Sequence, residues 1–164
     1  MDKARLFRPK KPRLKTEQEQ VLVNFEKEVE IMARVIGHFS KDFHITTPAL
    51  TYQKQKFVNF CFTSNRTKEK YEVYLVLNRG NQIYLETWET VPIRKGWAVD
   101  TSAEFVLIYT DSKVLQISSE VLKTAVAFQW ENAPTQKIPH SQGYAEGLLV
   151  PYGEIAILSR VIEL

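Results

Sequence analysis

The chain is short of the residues that many chemistries require. Among 164 residues there is one cysteine, Cys61, so no disulfide can form within the chain. Its place in an apolar alternating run predicts a buried, unreactive thiol. Three scattered histidines, His38, His44 and His140, offer no zinc-ligand spacing. They also supply no Cys-His or Ser-His-Asp set. There are only six glycines, and none builds a phosphate-binding loop. No apolar run approaches the roughly 18–20 residues that span a bilayer, and the basic N-terminus has no apolar stretch behind it. The expectation is a soluble, cytoplasmic protein with no signal peptide and no membrane partner.

What is present is globular in composition. Hydrophobic residues make up 44% and charged residues 25%, enough to bury a core in one domain over residues 16–164. The charge is uneven. Residues 1–15, MDKARLFRPKKPRLK, hold seven Lys or Arg against one Asp, whereas the other 149 residues hold 15 basic and 18 acidic. Cations clustered near Pro with few large apolar groups predict a flexible arm that orders on phosphates or on an acidic protein surface. The candidate nucleic-acid contacts are Lys3, Arg5, Arg8, Lys10, Lys11, Arg13 and Lys15, with DNA ahead of RNA as the partner. PKKPRLK also reads as a nuclear-import sequence if the host is eukaryotic.

The pattern along the chain predicts an α/β (α+β) fold, a central mixed or antiparallel sheet flanked by two helices. Thr16 and Glu19 form a capping box, and Leu22, Phe25, Val29, Met32 and Ile36 recur at helical spacing. A helix over 17–37, ending at Gly37 and packing that stripe on the sheet, follows. From Asp42 to Val91 the period becomes two. FHITTPALTY, KFVNFCFTS, KYEVYLVL and QIYLETWETV predict four antiparallel strands, the first at an edge because of Pro48. EFVLIYT and VLQIS flank Asp111, Ser112 and Lys113 as a further hairpin. Ser119 is expected to cap a helix near 119–130, and residues 131–146 to form a long polar loop. An apolar strand to Val150, a turn and a last strand or short helix close the chain.

The stretch KYEVYLVLNRGNQIYLE carries most of the candidate chemistry. Alternation puts Lys70, Glu72 and Tyr74 on one face of its first strand, and Gln82, Tyr84, Glu86 and Trp88 on one face of its second. A hairpin would merge the two faces. Two readings are open: cross-strand polar pairs that stabilise the hairpin, or carboxylates converging on a divalent cation.

YEVYLVLN, GNQIYLE, KGWAVDTSAEF and GLLVPY, in that order, resemble the PD-(D/E)XK nuclease-like superfamily, in the branch found in phage and mobile-element proteins. The resemblance implies a restriction-endonuclease-like fold. Glu72, Gly80, Asn81 and Glu86 match its motif. Tyr74 stands where the family has its lysine, Asn59 about where it has its first Asp, and Glu104 in place of a later Asp. The resemblance implies a Mg²⁺ site of Glu72, Glu86 and, weakly, Asn59, with Lys70 as a relocated lysine on the face of Glu72. A neutral tyrosine is neither a cation nor a good base near pH 7. The implied function is therefore a catalytically impaired protein that binds nucleic acid or a nucleoprotein through its arm. The alternatives are an active Mg²⁺-dependent endonuclease using Glu72, Glu86 and Lys70, and a structural or assembly protein of a phage or mobile-element complex. In the last, arm and acidic body favour homo-oligomers or a larger assembly.

Overall fold

The computed structural model describes residues 17–164, with side chains from Asn24 onward. The cationic arm and Thr16 of the expected capping box lie outside the described residues. By its contacts the chain divides into one unit ending at Ala33 and another from Arg34 to Leu164.

Helix α1 runs Glu17–Phe39, two residues past the expected end. Gly37 does not stop it. The helix closes at Ser40, whose backbone N–H and hydroxyl both donate to the Ile36 carbonyl. The expected buried stripe is not found in the first unit, where Phe25 and Val29 are 62% and 52% exposed. In the second unit Val35 and Phe39 are the buried side chains of the last turns.

The second unit is α+β. Strand β1 (Phe43–Thr46) is followed by a short helix α2 (Leu50–Lys56), then by β2 (Phe60–Ser64), β3 (Lys70–Leu77), β4 (Gln82–Thr90) and the two-residue β5 (Arg94–Lys95). The turn of helix α3 (Trp97–Asp100) leads to β6 (Phe105–Thr110), β7 (Lys113–Ser118) and helix α4 (Ser119–Gln129). Strands β8 (Thr135–His140) and β9 (Gly143–Pro151), helix α5 (Tyr152–Ala156) and β10 (Arg160–Glu163) complete the chain.

These strands make two sheets instead of one. A six-stranded mixed sheet has the order β1-β2-β3-β6-β7-β10, and a four-stranded sheet has the order β5-β4-β9-β8. Every pairing is antiparallel except β3 with β6, where Val73–Leu77 run parallel to Phe105–Tyr109. The expected β3–β4 hairpin does not form. Strand β3 is covered on both faces, with Val73 and Leu75 buried on one and Tyr74 and Val76 half-buried on the other, and β6 occupies the edge that β4 would need. The chain leaves for the second sheet through Gly80 at φ +96°. The Asn78 amide holds that exit, donating to the Gln82 carbonyl and accepting from the Tyr84 N–H.

One core joins the two sheets. Val106 and Ile108 of β6 and Leu115 and Ile117 of β7 meet Ile83 and Leu85 of β4, Leu148 and Val150 of β9, and Leu122 and Val126 of α4. Tyr74 and Val76 of β3 pack against the same cluster. Asp111 and Ser112, both at positive φ, make the tight turn between β6 and β7, in keeping with the expected hairpin.

Three further expectations change. Strand β1, an edge strand as expected, ends at Thr46, two residues before Pro48, and Leu50–Lys56 form α2 in place of strand. Ser118, not Ser119, caps α4, its hydroxyl accepting the Val121 N–H, while the Ser119 hydroxyl donates to the Ala103 carbonyl. The polar segment 131–146 contains β8 and the start of β9. All six residues of β8 are exposed, so an edge strand without a buried face carries no apolar alternation to read.

Close backbone approach at Gly147 locks β9 on β4. A Cβ there would lie 2.5 Å from the Tyr84 ring and 2.7 Å from the Leu85 carbonyl oxygen. Gly147→Ala is expected to lose about 2–3 kcal/mol in denaturant unfolding, because neither neighbour can yield without moving β4. Gly153→Ala, with open space around the new methyl, should be neutral or slightly stabilising.

Candidate functional site

The residues expected to share one face fall into two separate places. Glu72 lies on β3 opposite Cys61 of β2, half-buried, and its Oε1 accepts a hydrogen bond of 2.5 Å from the Tyr52 hydroxyl of α2. That bond is the main cause of a Tyr52 hydroxyl held above its usual range, with burial adding to it. Lys70 begins β3 opposite Thr63 and is exposed. Asn59 precedes β2 and behaves as a surrogate peptide: its amide donates to the Leu75 carbonyl at 3.0 Å and accepts from the Leu75 N–H at 2.8 Å. Its own N–H donates to the Val73 carbonyl, so the side chain extends the β2–β3 ladder where β2 has not yet begun.

Tyr74, expected as the replacement of a lysine, points into the core between the sheets. Its ring meets those of Phe57 and Trp97 at centroid distances of 5.8 and 6.0 Å. Burial, with the nearby charges of Glu86 and Glu89, pushes its hydroxyl up to about 12.

Glu86 belongs to the second place, on β4 beside the irregularity that separates its pairing with Gly147 from that of Trp88 with Glu146. Its carboxylate accepts the Trp97 N–H at the start of α3, and Gly96 makes that approach possible. A Cβ on Gly96 would collide with the Glu86 carbonyl and lie 2.7 Å from its Cγ. Burial pushes the Glu86 carboxyl up to about 7 and Glu89 adds to the rise, against the opposing Trp97 N–H, Arg94 and His140. A carboxyl that titrates near neutrality can take or give a proton under ordinary conditions.

Around Glu86 the polar groups are only partly matched. Arg94 Nη1 lies 2.6 Å from Glu89 Oε2, an ion pair without hydrogen-bond alignment. Glu89 Oε2, Arg94 Nη2 and the Tyr84 hydroxyl are buried with no hydrogen-bond partner among the described residues. Burial, then Glu86 and Glu146, push that Tyr84 hydroxyl up to about 12. The Arg94 guanidinium sits 4.7 Å over the Phe57 ring, and Phe57 itself holds φ +49°, a strained value for a bulky residue. The Thr101 hydroxyl anchors it by donating to the Phe57 carbonyl. His140 Nε2 lies 3.0 Å from the Glu89 carbonyl oxygen.

Phe57, Arg94, Thr101 and His140 went unpredicted as site residues, since loop and strand ends bring them together across long separations. The one local signal was the Gly-Trp pair at 96–97, where a glycine beside a large aromatic marks close approach. Asn59, Glu72 and Glu86 each have another partner, which does not fit a shared Mg²⁺. Among the described residues no three His, Cys, Asp or Glu side chains are grouped to hold a metal. On the other face of the six-stranded sheet, a cavity of about 370 Å³ is floored by Phe62, Val73 and Leu107 and edged by Tyr71, Arg66 and Arg160.

No helix among the described residues is long and apolar enough to cross a membrane. No family model matches the chain, and neither any curated protein nor any solved structure does.

The raised Glu86 carboxyl makes stability depend on pH. In the unfolded chain it ionises near 4.5 and in the fold near 7, so the cost of holding a buried carboxylate is absent below the first value and complete above the second. Glu86→Gln should therefore be more stable than the parent at pH 8, by about 2 kcal/mol after allowing for partial exposure, and lose that advantage toward pH 4.5. Chemical unfolding at a series of pH values checks it.

Proposed function

We propose that this protein binds nucleic acid, alone or within a nucleoprotein, through its N-terminal arm, and that its α+β domain is a scaffold and not a cutting enzyme. The observation that carries the reading is Tyr74. In the resembled nucleases a lysine at this place serves the reaction, whereas this side chain is part of the core, against Phe57 and Trp97. With its hydroxyl near 12 it is neutral, and it offers no cation beside a phosphate. Asn59, at the place of the first Asp, is committed to the Leu75 backbone at both ends of its amide. A carboxylate there would lose the donor to the Leu75 carbonyl and set like charge against it.

The arm supplies what the domain lacks. Seven Lys or Arg in 15 residues form an electrostatic footprint that binds phosphates without reading sequence. Such binding is non-specific and falls steeply as salt rises.

Affinity for duplex DNA measured between about 50 and 200 mM salt tests this. The log–log slope should become shallower by about two when Lys10 and Lys11 are both changed to Gln in the full chain. An unchanged slope overturns the role of the arm. In the same reactions with Mg²⁺ the DNA should stay intact. Cleavage that Glu72→Ala abolishes would replace the proposal with an endonuclease using Glu72, Glu86 and Lys70.

A further inference from the structure

The cavity of about 370 Å³ on the six-stranded sheet has no part in the proposed function. Every residue that lines it belongs to the second unit. Alternation puts Tyr71 and Val73 of β3 on the face opposite Glu72 and Tyr74, away from the core shared with the four-stranded sheet. Register carries that face across the strands. Val73 stands opposite Phe105, and Leu107 opposite Gln116, which in turn stands opposite Arg160. Cavities of about 300–1,000 Å³ with apolar walls and a few polar groups are where proteins take small molecules.

The middle of the cavity is apolar and aromatic. Phe62, Val73 and Leu107 are buried beneath it, and Phe43, Tyr71 and Phe105 line it as a row of half-buried rings. The Tyr71 ring meets Phe43 at 6.4 Å and Phe105 at 5.8 Å, edge-on to both, and its hydroxyl donates to Glu69 Oε2 at 2.6 Å. Rings fixed in this way favour another flat ring over a flexible chain.

The two ends differ in charge. Asp42, just before β1, and Glu69, just before β3, line one end, with Arg66 in the turn between β2 and β3. Glu69 is engaged by the hydroxyls of Tyr71 and Thr67. Arg160 lies on β10, four strand spacings from β2, or about 19 Å across the sheet. No acidic residue of β6, β7 or β10 lines the cavity at that end. Glu163, the one acid of β10, is paired with Lys113 at 3.3 Å. The Gln116 amide, directly across from Arg160, has no hydrogen-bond partner among the described residues. A guanidinium and an amide on neighbouring strands supply donors for an anion, and the carboxylates at the far end set its direction by repulsion.

We propose that this cavity binds an aromatic anion, a flat ring system against Tyr71 and Phe105 whose carboxylate or phosphate is held by Arg160 and Gln116. The site uses neither the arm nor Glu72, so it stands or falls apart from the nucleic-acid reading.

Two-dimensional NMR titration of the full chain, with calorimetry, tests it. Naphthoate, naphthyl phosphate and the uncharged naphthalenemethanol share one ring system and differ in the head group. An anion should bind once per chain and shift the N–H signals of Leu107, Gln116 and Arg160 most, and the tighter of the two names the head group. Arg160→Gln should weaken that anion at least tenfold and the alcohol less than twofold, since Arg160 is exposed and its loss leaves the floor intact. Arg66→Gln should weaken the anion less than threefold. No saturable binding of either anion at millimolar concentration overturns the proposal, as do shifts centred on Val121 and Phe128 of α4. An alcohol that binds as tightly as the anions removes the anion site, and octanoate binding as tightly as naphthoate removes the aromatic one. A loss with Arg66→Gln as large as with Arg160→Gln overturns the placement of the anion at β10.

Discussion

Strand β3 is the constraint on which the second unit rests. It pairs antiparallel with β2 on one side and parallel with β6 on the other, and both of its faces are covered. Val73 and Leu75 are at most 5% exposed, while Tyr74 and Val76 on the alternate face pack against the core shared with β4 and β9. A strand in that position has no free edge. The next strand in sequence must go elsewhere, and β4 joins β5 and β9 in the second sheet. Asn59 completes the arrangement by supplying, from a side chain, the donor and acceptor that Leu75 would otherwise lack where β2 has not begun.

The candidate chemistry follows from the same division. Two glutamates that a hairpin would have joined are held by different partners, Glu72 by the Tyr52 hydroxyl and Glu86 by the Trp97 N–H. The region around Glu86 holds the less settled groups of the molecule: a carboxyl near neutrality, a misaligned Arg94–Glu89 pair, an unpartnered Tyr84 hydroxyl and a phenylalanine at positive φ. Such features cost stability and gather where a fold joins distant segments or serves a function. The proposed division of labour leaves phosphate binding to the arm and gives the domain the task of holding it.

Much of this architecture was legible in the sequence. The β6–β7 turn at Asp111 and Ser112, the apolar strands on either side of it, α4 and the closing strand all carry local signals strong enough to survive tertiary context. What was not legible has a physical reason in each case. The hairpin of β3 and β4 looked natural because turn residues joined two alternating runs, yet strand pairing is decided by burial of both faces, which a local pattern does not report. β8 was hidden because TQKIPH has no buried side, and α2 because the strand pattern of FHITTPALTY runs on past Pro48. Glu72 and Glu86 could be picked out as carboxylates on alternating faces. Arg94, His140 and Phe57 could not, since only the path through two sheets brings them near Glu86.

Amide hydrogen exchange on the native full chain tests the central place of β3 most directly. The N–H groups of Val73 and Leu75, buried residues of a strand paired on both sides, should be among the slowest, exchanging only through global unfolding, while Gln136 and Ile138 of the exposed edge strand β8 exchange by local opening many times faster. Exchange at Val73 and Leu75 as fast as in β8 would contradict the account.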